Sequence, residues 1–283
     1  MVYLAGSQMH LKIKKGDFKM QEKTKIRLGL IGLWVEFAAY FFIYIIATKN
    51  FFTFTAIWSS ALAIYLLIRL KLPSVKYMVI SLIFGIAVSL CYLAVQMNIM
   101  VVVHQGLLAG LPTLLSSLAV FAVMEKLSNE KGKPYHLIRT SGKRPFYQEL
   151  LISLGIAIGS AAVLAVINFF LSKAHSTKNF AITWQRLTIC LSPAIFEEMA
   201  CRAVFMAFCV YLFRKPTKFQ LFTMWFMMIV PHTLAHHYDL IGSLLLCVIF
   251  GLPFALLQRK RDLTSAMVSH GLVDAIRFCI FGF

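Results

Sequence analysis

Three short segments in the last third of the chain carry side chains of types that do chemistry, at helical spacing. Glu197, Glu198 and Arg202 lie in one apolar stretch, His232, His236 and His237 in the next, and His270 with Asp274 in the last. On a helix Glu198 and Arg202 are four apart, one above the other, so they can neutralise each other as a structural ion pair. Glu197 projects about 100° away from Glu198. It is left without that partner, the arrangement a general base requires. His232 and His236 share one helix face, as do His270 and Asp274, while His237 faces elsewhere. Taken singly, each segment also fits a plain structural role, such as a buried Glu–Arg clamp or a packed histidine. Three helices each bringing a polar i,i+4 pair inward fit a glutamate/histidine site that activates water, directly or through a metal. Glu197, His232, His236 and His270 are the candidate ligands, and a His/carboxylate set with an open position suits zinc. The zincin signature HExxH and a Gly-x-Ser nucleophile motif are both missing from the sequence.

The elements that hold these residues must be membrane helices. Of 283 residues 60% are hydrophobic and 14% charged, and the mean hydropathy is +0.78. A soluble domain averages roughly 45–50% apolar and has no means of hiding this surplus, so soluble enzymes, disordered chains and disulfide scaffolds are excluded together. The six cysteines lie in apolar runs without paired spacing. A span needs about 20 apolar residues. Read that way, spans fall near 28–48, 51–69, 77–97, 99–124, 149–171, 185–213, 219–237, 239–257 and 264–282. The expected fold is all-α, a polytopic membrane protein of eight to nine transmembrane helices with a catalytic helical core in the C-terminal half. Its parts are a basic cytoplasmic N-terminus (1–27), a four-helix membrane portion (28–124), a basic cytoplasmic loop (125–148) and a membrane core (149–283). Turn signals mark the loop at Lys133-Pro134 and Ser141-Gly142.

The formal net charge of +17 is distributed as a topology signal. With nine spans, 22 of the 28 basic residues fall on one side and five on the other, leaving Arg202 inside a span. By the positive-inside rule the N-terminus is cytoplasmic and the C-terminus outside. An integral protein of a bacterial plasma membrane is expected, its charge explained by the lipid bilayer and with no nucleic-acid partner. Ionisable residues inside a bilayer are functional candidates by default, but Glu36 and His104 in the N-terminal half read as packing or snorkelling residues.

Across roughly 149–283, the run Glu197-Glu198-x-x-x-Arg202, a second helix ending Leu234-Ala235-His236, and His270-x-x-x-Asp274 resemble the CAAX prenyl protease and bacteriocin-processing family of intramembrane proteases. The resemblance implies that Glu197 activates water with the help of a histidine, and that His270 and Asp274 stabilise the oxyanion. The family's second motif is Phe-x-x-x-His. His236 is aligned with its histidine, with His232 standing where the Phe is expected, which makes His236 a catalytic residue and His232 an additional ligand or partner. If Met228-x-x-x-His232 is the match, those roles swap. The third motif often ends in Asn where this chain has Asp274. An ionised Asp has no proton to donate to an oxyanion, so it must be protonated, orient His270, or bind a metal. The function implied is an intramembrane endopeptidase acting on a membrane-anchored or lipidated peptide. The alternatives are a non-catalytic membrane immunity or scaffold protein of the same fold, or a metal or proton transporter. Bends at Pro193, Pro231 and Pro253 are expected to bring Glu197, His236 and His270 to one depth.

Overall fold

The computed structural model describes residues 3–46, 52–94, 98–127, 136–172, 180–213 and 215–281, with side chains from residue 23 onward. Within them the chain is helical, with no strand. Nine long helical segments follow one another: α1 (Tyr3–Ile46), α2 (Phe52–Leu70), α3 (Val75–Ala94), α4 (Ile99–Lys126), α5 (Phe146–Ser172), α6 (residues 184–212), α7 (Lys218–Ala235), α8 (Leu240–Arg261) and α9 (Leu263–Ile276, extended by Arg277–Phe281). Each covers one expected span, and α1 extends its span backwards through the basic N-terminal segment. Among the described residues seven helices are long and apolar enough to cross a membrane by length and composition. The other two, α6 and α7, carry Glu197, Glu198, Arg202 and the histidines, side chains that lower their hydropathy. The chain is an integral multi-pass membrane protein. The Lys133-Pro134 turn lies outside the described residues, whereas Gly142 is present with a φ of 71°, a left-handed turn that glycine adopts without strain.

Side-chain contacts fix the two ends of the bundle. At one end Lys25 Nζ donates to Tyr211 Oη (2.7 Å), Ser74 Oγ donates to Glu125 (2.5 Å), and Arg261 pairs with Glu149 (3.0 Å). This is the basic end. At the other end Tyr44 Oη donates to the Tyr238 carbonyl (2.7 Å), Tyr92 Oη to Ser192 Oγ (3.1 Å), and the Ala181 amide to the Cys279 carbonyl (2.9 Å).

Several helices are not regular. Wider π-turns occupy Ser192–Glu197 and Met199–Ala203 of α6, Cys247–Gly251 and Leu257–Arg261 of α8, and Gly106–Gly110 of α4. Such turns concentrate at functional sites. In α6 the first begins at Pro193, which lacks the N–H of a regular turn. The main core, with Phe121, Phe205, Met206, Met227 and Met228 fully buried, is built by α1, α2, α4, α6 and α7, and a smaller one, Ala161, Leu164, Phe254 and Val273, by α5, α8 and α9. Glu36 is exposed and accepts a hydrogen bond from the Trp58 indole, a tie between α1 and α2.

Candidate active site

Four helices converge on the residues singled out from the sequence. The π-turns of α6 present Glu197 and Glu198, and four residues on, Arg202 pairs with Glu198 through Nη1 and Oε1. Both partners are fully buried. An isolated buried charge costs several kcal/mol, and partners for the remaining polar atoms of this pair come from other helices, except for Arg202 Nε, which is buried without a hydrogen bond from the described residues. His270 of α9 reaches the same Glu198 Oε1 at 2.7 Å through Nδ1, and Gln258 of α8 donates from Nε2 to Glu198 Oε2 (2.6 Å) and to the Glu198 carbonyl (2.9 Å). The close approach of α9 to α6 depends on Gly271. A Cβ there would lie 3.0 Å from the Ala194 Cβ, tighter than ordinary van der Waals contact.

Arg202 also fixes the state of a histidine. Its Nη2 lies 2.8 Å from Nδ1 of His232. A guanidinium only donates, so Nδ1 of His232 must accept and its proton sits on Nε2. That Nε2–H donates to Glu197 Oε2 at 2.6 Å. The ring thus links the structural pair to the carboxylate that the pair leaves over. At His270 the logic runs the other way. Glu198 accepts only, so Nδ1 of His270 carries the proton, and the 3.3 Å approach of Arg202 Nη1 is two donors converging on one oxygen rather than a hydrogen bond between them. The Nε2 of His270 faces Asp274 Oδ2 at 3.6 Å and Glu197 Oε2 at 3.7 Å. Phe254 stacks on the His270 ring at 4.3 Å.

His236 stands further off, its Nε2 3.9 Å from Glu197 Oε2. It is the last residue of α7 in right-handed conformation, and His237 follows at a φ of 55° with its ring nitrogen 3.2 Å from the Tyr44 carbonyl. Phe52 meets His236 edge-on at 4.9 Å, and Tyr238 stacks on it at 5.9 Å. Behind His232, Thr55 and Tyr40 are 2.5 Å apart, and Tyr40 Oη donates to the Pro231 carbonyl at 2.8 Å, which ties α1 and α2 to the α7 turn.

Every site residue read from the sequence is therefore in one cluster, and the bent, π-turned helices bring Glu197, His232, His236 and His270 to one depth. The expected Glu198–Arg202 pair is present. Glu197 is outside it, as its position on the helix implies, but it has an imidazole partner of its own in His232. Its other oxygen, Oε1, takes no hydrogen bond from the described residues. The sequence gave no sign of Gln258. It sits beside Arg259–Arg261 and reads there as part of a solvated basic turn, whereas a π-turn rotates it into the buried pair.

One atom each of Glu197, His232 and His236 lies within 4.8 Å of the others, a spacing that a divalent cation spans. At His232 a metal would need the Nε2 lone pair, and releasing it means moving the proton to Nδ1, against the Arg202 guanidinium. Glu197, His236 and the unprotonated Nε2 of His270, 3.7 Å from Glu197 Oε2, are the donors that leave that proton in place, and three protein ligands is the number catalytic zinc takes.

Residues 179–276 match a family model described as type II CAAX prenyl endopeptidase Rce1-like. The matched stretch runs from just before α6 to the last regular turn of α9 and holds every residue of the cluster, while α1 to α5 lie outside it. Comparisons with curated proteins and with solved structures returned no match. The motifs on α6, α7 and α9 and the matched model agree, and residues 179–276 of this membrane protein are similar to the Rce1-like type II CAAX prenyl endopeptidase family.

Proposed function

We propose that the protein is an intramembrane endopeptidase that hydrolyses a peptide bond of a membrane-anchored substrate with water activated by Glu197. The observation that carries this reading is the asymmetry of the two adjacent glutamates. Glu198 has both oxygens occupied by Arg202, His270 and Gln258. Glu197 holds one hydrogen bond, from His232, and keeps Oε1 for a water proton. In this reading Glu197 takes that proton as the water oxygen attacks the scissile carbonyl. His232 is the motif histidine, so the second of the two sequence alignments is the one proposed. Held by Arg202 in the Nε2–H form, it orients the carboxylate and stabilises its charge until the proton passes to the leaving amine. His270, fixed by Glu198 at Nδ1, faces the space beside Glu197, and in its protonated form Nε2–H is a donor for the oxyanion, the preorganised electrostatic help that acyl transfer needs. Asp274 then orients His270. His236, at the rim, contacts the substrate chain or its leaving group. The mechanism needs no metal.

The test is proteolysis of a panel of membrane-anchored peptides by the purified protein in lipid vesicles. Glu197→Gln keeps the volume and the acceptor for His232 and removes the base, so cleavage should vanish while folded yield holds. A variant that still cuts overturns Glu197 as the base, and a folded wild-type protein that cuts none of the panel returns the chain to a non-catalytic scaffold of the same fold.

A further inference from the structure

The bundle has one closed and one open side around this cluster, and the sides are set by the order of residues along three helices. On α6, Glu197 precedes Arg202 in a helix running towards the basic end. On α7, His236 follows His232 in a helix running away from it. On α9, Asp274 follows His270, again away from it. In each pair the member nearer the basic end is the more buried. Arg202, His232 and His270 have side chains 2%, 2% and 8% exposed, against 13%, 26% and 14% for Glu197, His236 and Asp274. Beneath them Gln258 and Phe254, both 1% exposed, close the floor. Deeper still, towards the basic end, the buried Glu149 and Asp262 are tied to Arg261. A groove of about 620 Å³ does open at that end, between α1, α2 and α6, but its lining of Lys25, Leu28, Tyr65 and Leu212 includes no residue of the cluster.

We infer that water and substrate reach the site from the end of the bundle opposite the basic loops, which is the extracytoplasmic side. The orientation follows from the nine-span reading of the sequence, with 22 basic residues in the segments on one side against five on the other, an asymmetry that retains the basic side in the cytoplasm. Resting on the peptidase reading, this names the substrate class: a membrane-anchored protein whose scissile segment lies in or just above the outer leaflet. Phe52 and Tyr238, the aromatic residues against His236 at the rim, are suited to that interfacial depth.

Thiol labelling reads the access side without needing activity. His236→Cys and Tyr238→Cys at the rim, and Lys260→Cys at the basic end, are compared in the full chain with its native cysteines replaced by alanine. The reagent is a membrane-impermeant maleimide, applied to intact spheroplasts and to inside-out vesicles. Residues 236 and 238 should label in spheroplasts and stay unlabelled in inside-out vesicles, with residue 260 showing the reverse. Labelling of 236 and 238 only in inside-out vesicles overturns the proposal, as does labelling of 238 alone with 236 reached from neither side. If His236→Cys does not fold, Asp274→Cys probes the same opening. Should labelling follow expectation while Glu197→Gln still supports full biological activity, the access side stands and the peptidase reading alone fails.

Discussion

The C-terminal helices hold two buried clusters of charge, and their difference separates structure from chemistry. At the basic end, Glu149 of α5 accepts from Ser141 Oγ (2.5 Å) and pairs with Arg261 (3.0 Å). Beside it, Asp262 accepts from Ser153 Oγ (2.6 Å), from the Arg139 amide (3.0 Å) and, as the cap of α9, from the Ser265 amide (2.8 Å). Every carboxylate oxygen there has a donor, and the cluster fastens the segment 136–145 to the ends of α5, α8 and α9. At the Glu197 cluster both oxygens of Glu198 likewise have donors, although Arg202 Nε and Gln258 Oε1 are buried without a hydrogen bond from the described residues, and the outer half is less complete still. Glu197 keeps an oxygen, and His270 Nε2 and Asp274 meet only at 3.6 Å. Buried charge alone marks neither cluster as functional. What distinguishes the site is charge left incompletely paired and reachable on one side, which stability does not explain.

Substitutions sharpen this contrast, and the largest effect is expected at Glu197. Glu197→Gln should lower cleavage by about 10²- to 10⁴-fold, the usual share of a positioned acid–base group, with an unchanged thermal midpoint. Glu149→Gln should do the opposite, lowering the midpoint while the folded fraction keeps its specific activity. If Glu197→Gln instead melts early and Glu149→Gln cuts poorly, the division between the clusters is wrong.

Next in size is Arg202→Met. It strands Glu198 as a buried charge and frees the tautomer of His232, so a loss of roughly 3–5 kcal/mol is expected, read as collapse of folded yield in detergent extracts. A well-folded Arg202→Met would show that Glu198 finds protons or water, and that the inner half of the site is less closed than its contacts imply.

The histidines rank below these. His232→Phe should reduce the rate by about 10²-fold, and His236→Ala by less, because only His232 is hydrogen-bonded to Glu197. Chelation should leave the wild-type rate unchanged. Stoichiometric zinc, together with activity lost on chelation and regained with metal, would overturn both the ranking and the metal-free mechanism.

Asp262→Ala should cost about 3 kcal/mol in denaturant unfolding, a lost helix cap of roughly 1 kcal/mol plus the hydrogen bonds from Ser153 and Arg139 at about 1 kcal/mol each, without altering the rate per folded molecule. Smallest is Glu36→Gln. Its amide oxygen still accepts from Trp58, so the shift should stay within about 0.5 kcal/mol, as for surface changes generally. A larger loss, or reduced cleavage, would give the N-terminal half a part in the chemistry.

What the sequence by itself determined is what depends on local spacing and composition. The nine apolar stretches are helical among the described residues because a bilayer leaves the backbone few other ways to satisfy its hydrogen bonds. The Glu198–Arg202 pair was legible because residues four apart on a helix must meet. The residues that cluster were legible for the related reason that ionisable groups are too costly in such helices to be there by chance. Tertiary structure alone decided the rest. The sequence pattern aligned His236 with the family histidine and left His232 as an extra, and the proposed exchange of those roles rests on a guanidinium from another helix, which sets the proton on His232. Gln258 sat in a basic run and became the floor of the site through a π-turn. Depth was undecided too, since regular helices would have left Glu197, His236 and His270 apart. Wide turns at Pro193 and after Leu246, and the missing side chain of Gly271, let α6, α8 and α9 close to contact distance. Those are relations between helices, and no pattern within one helix encodes them.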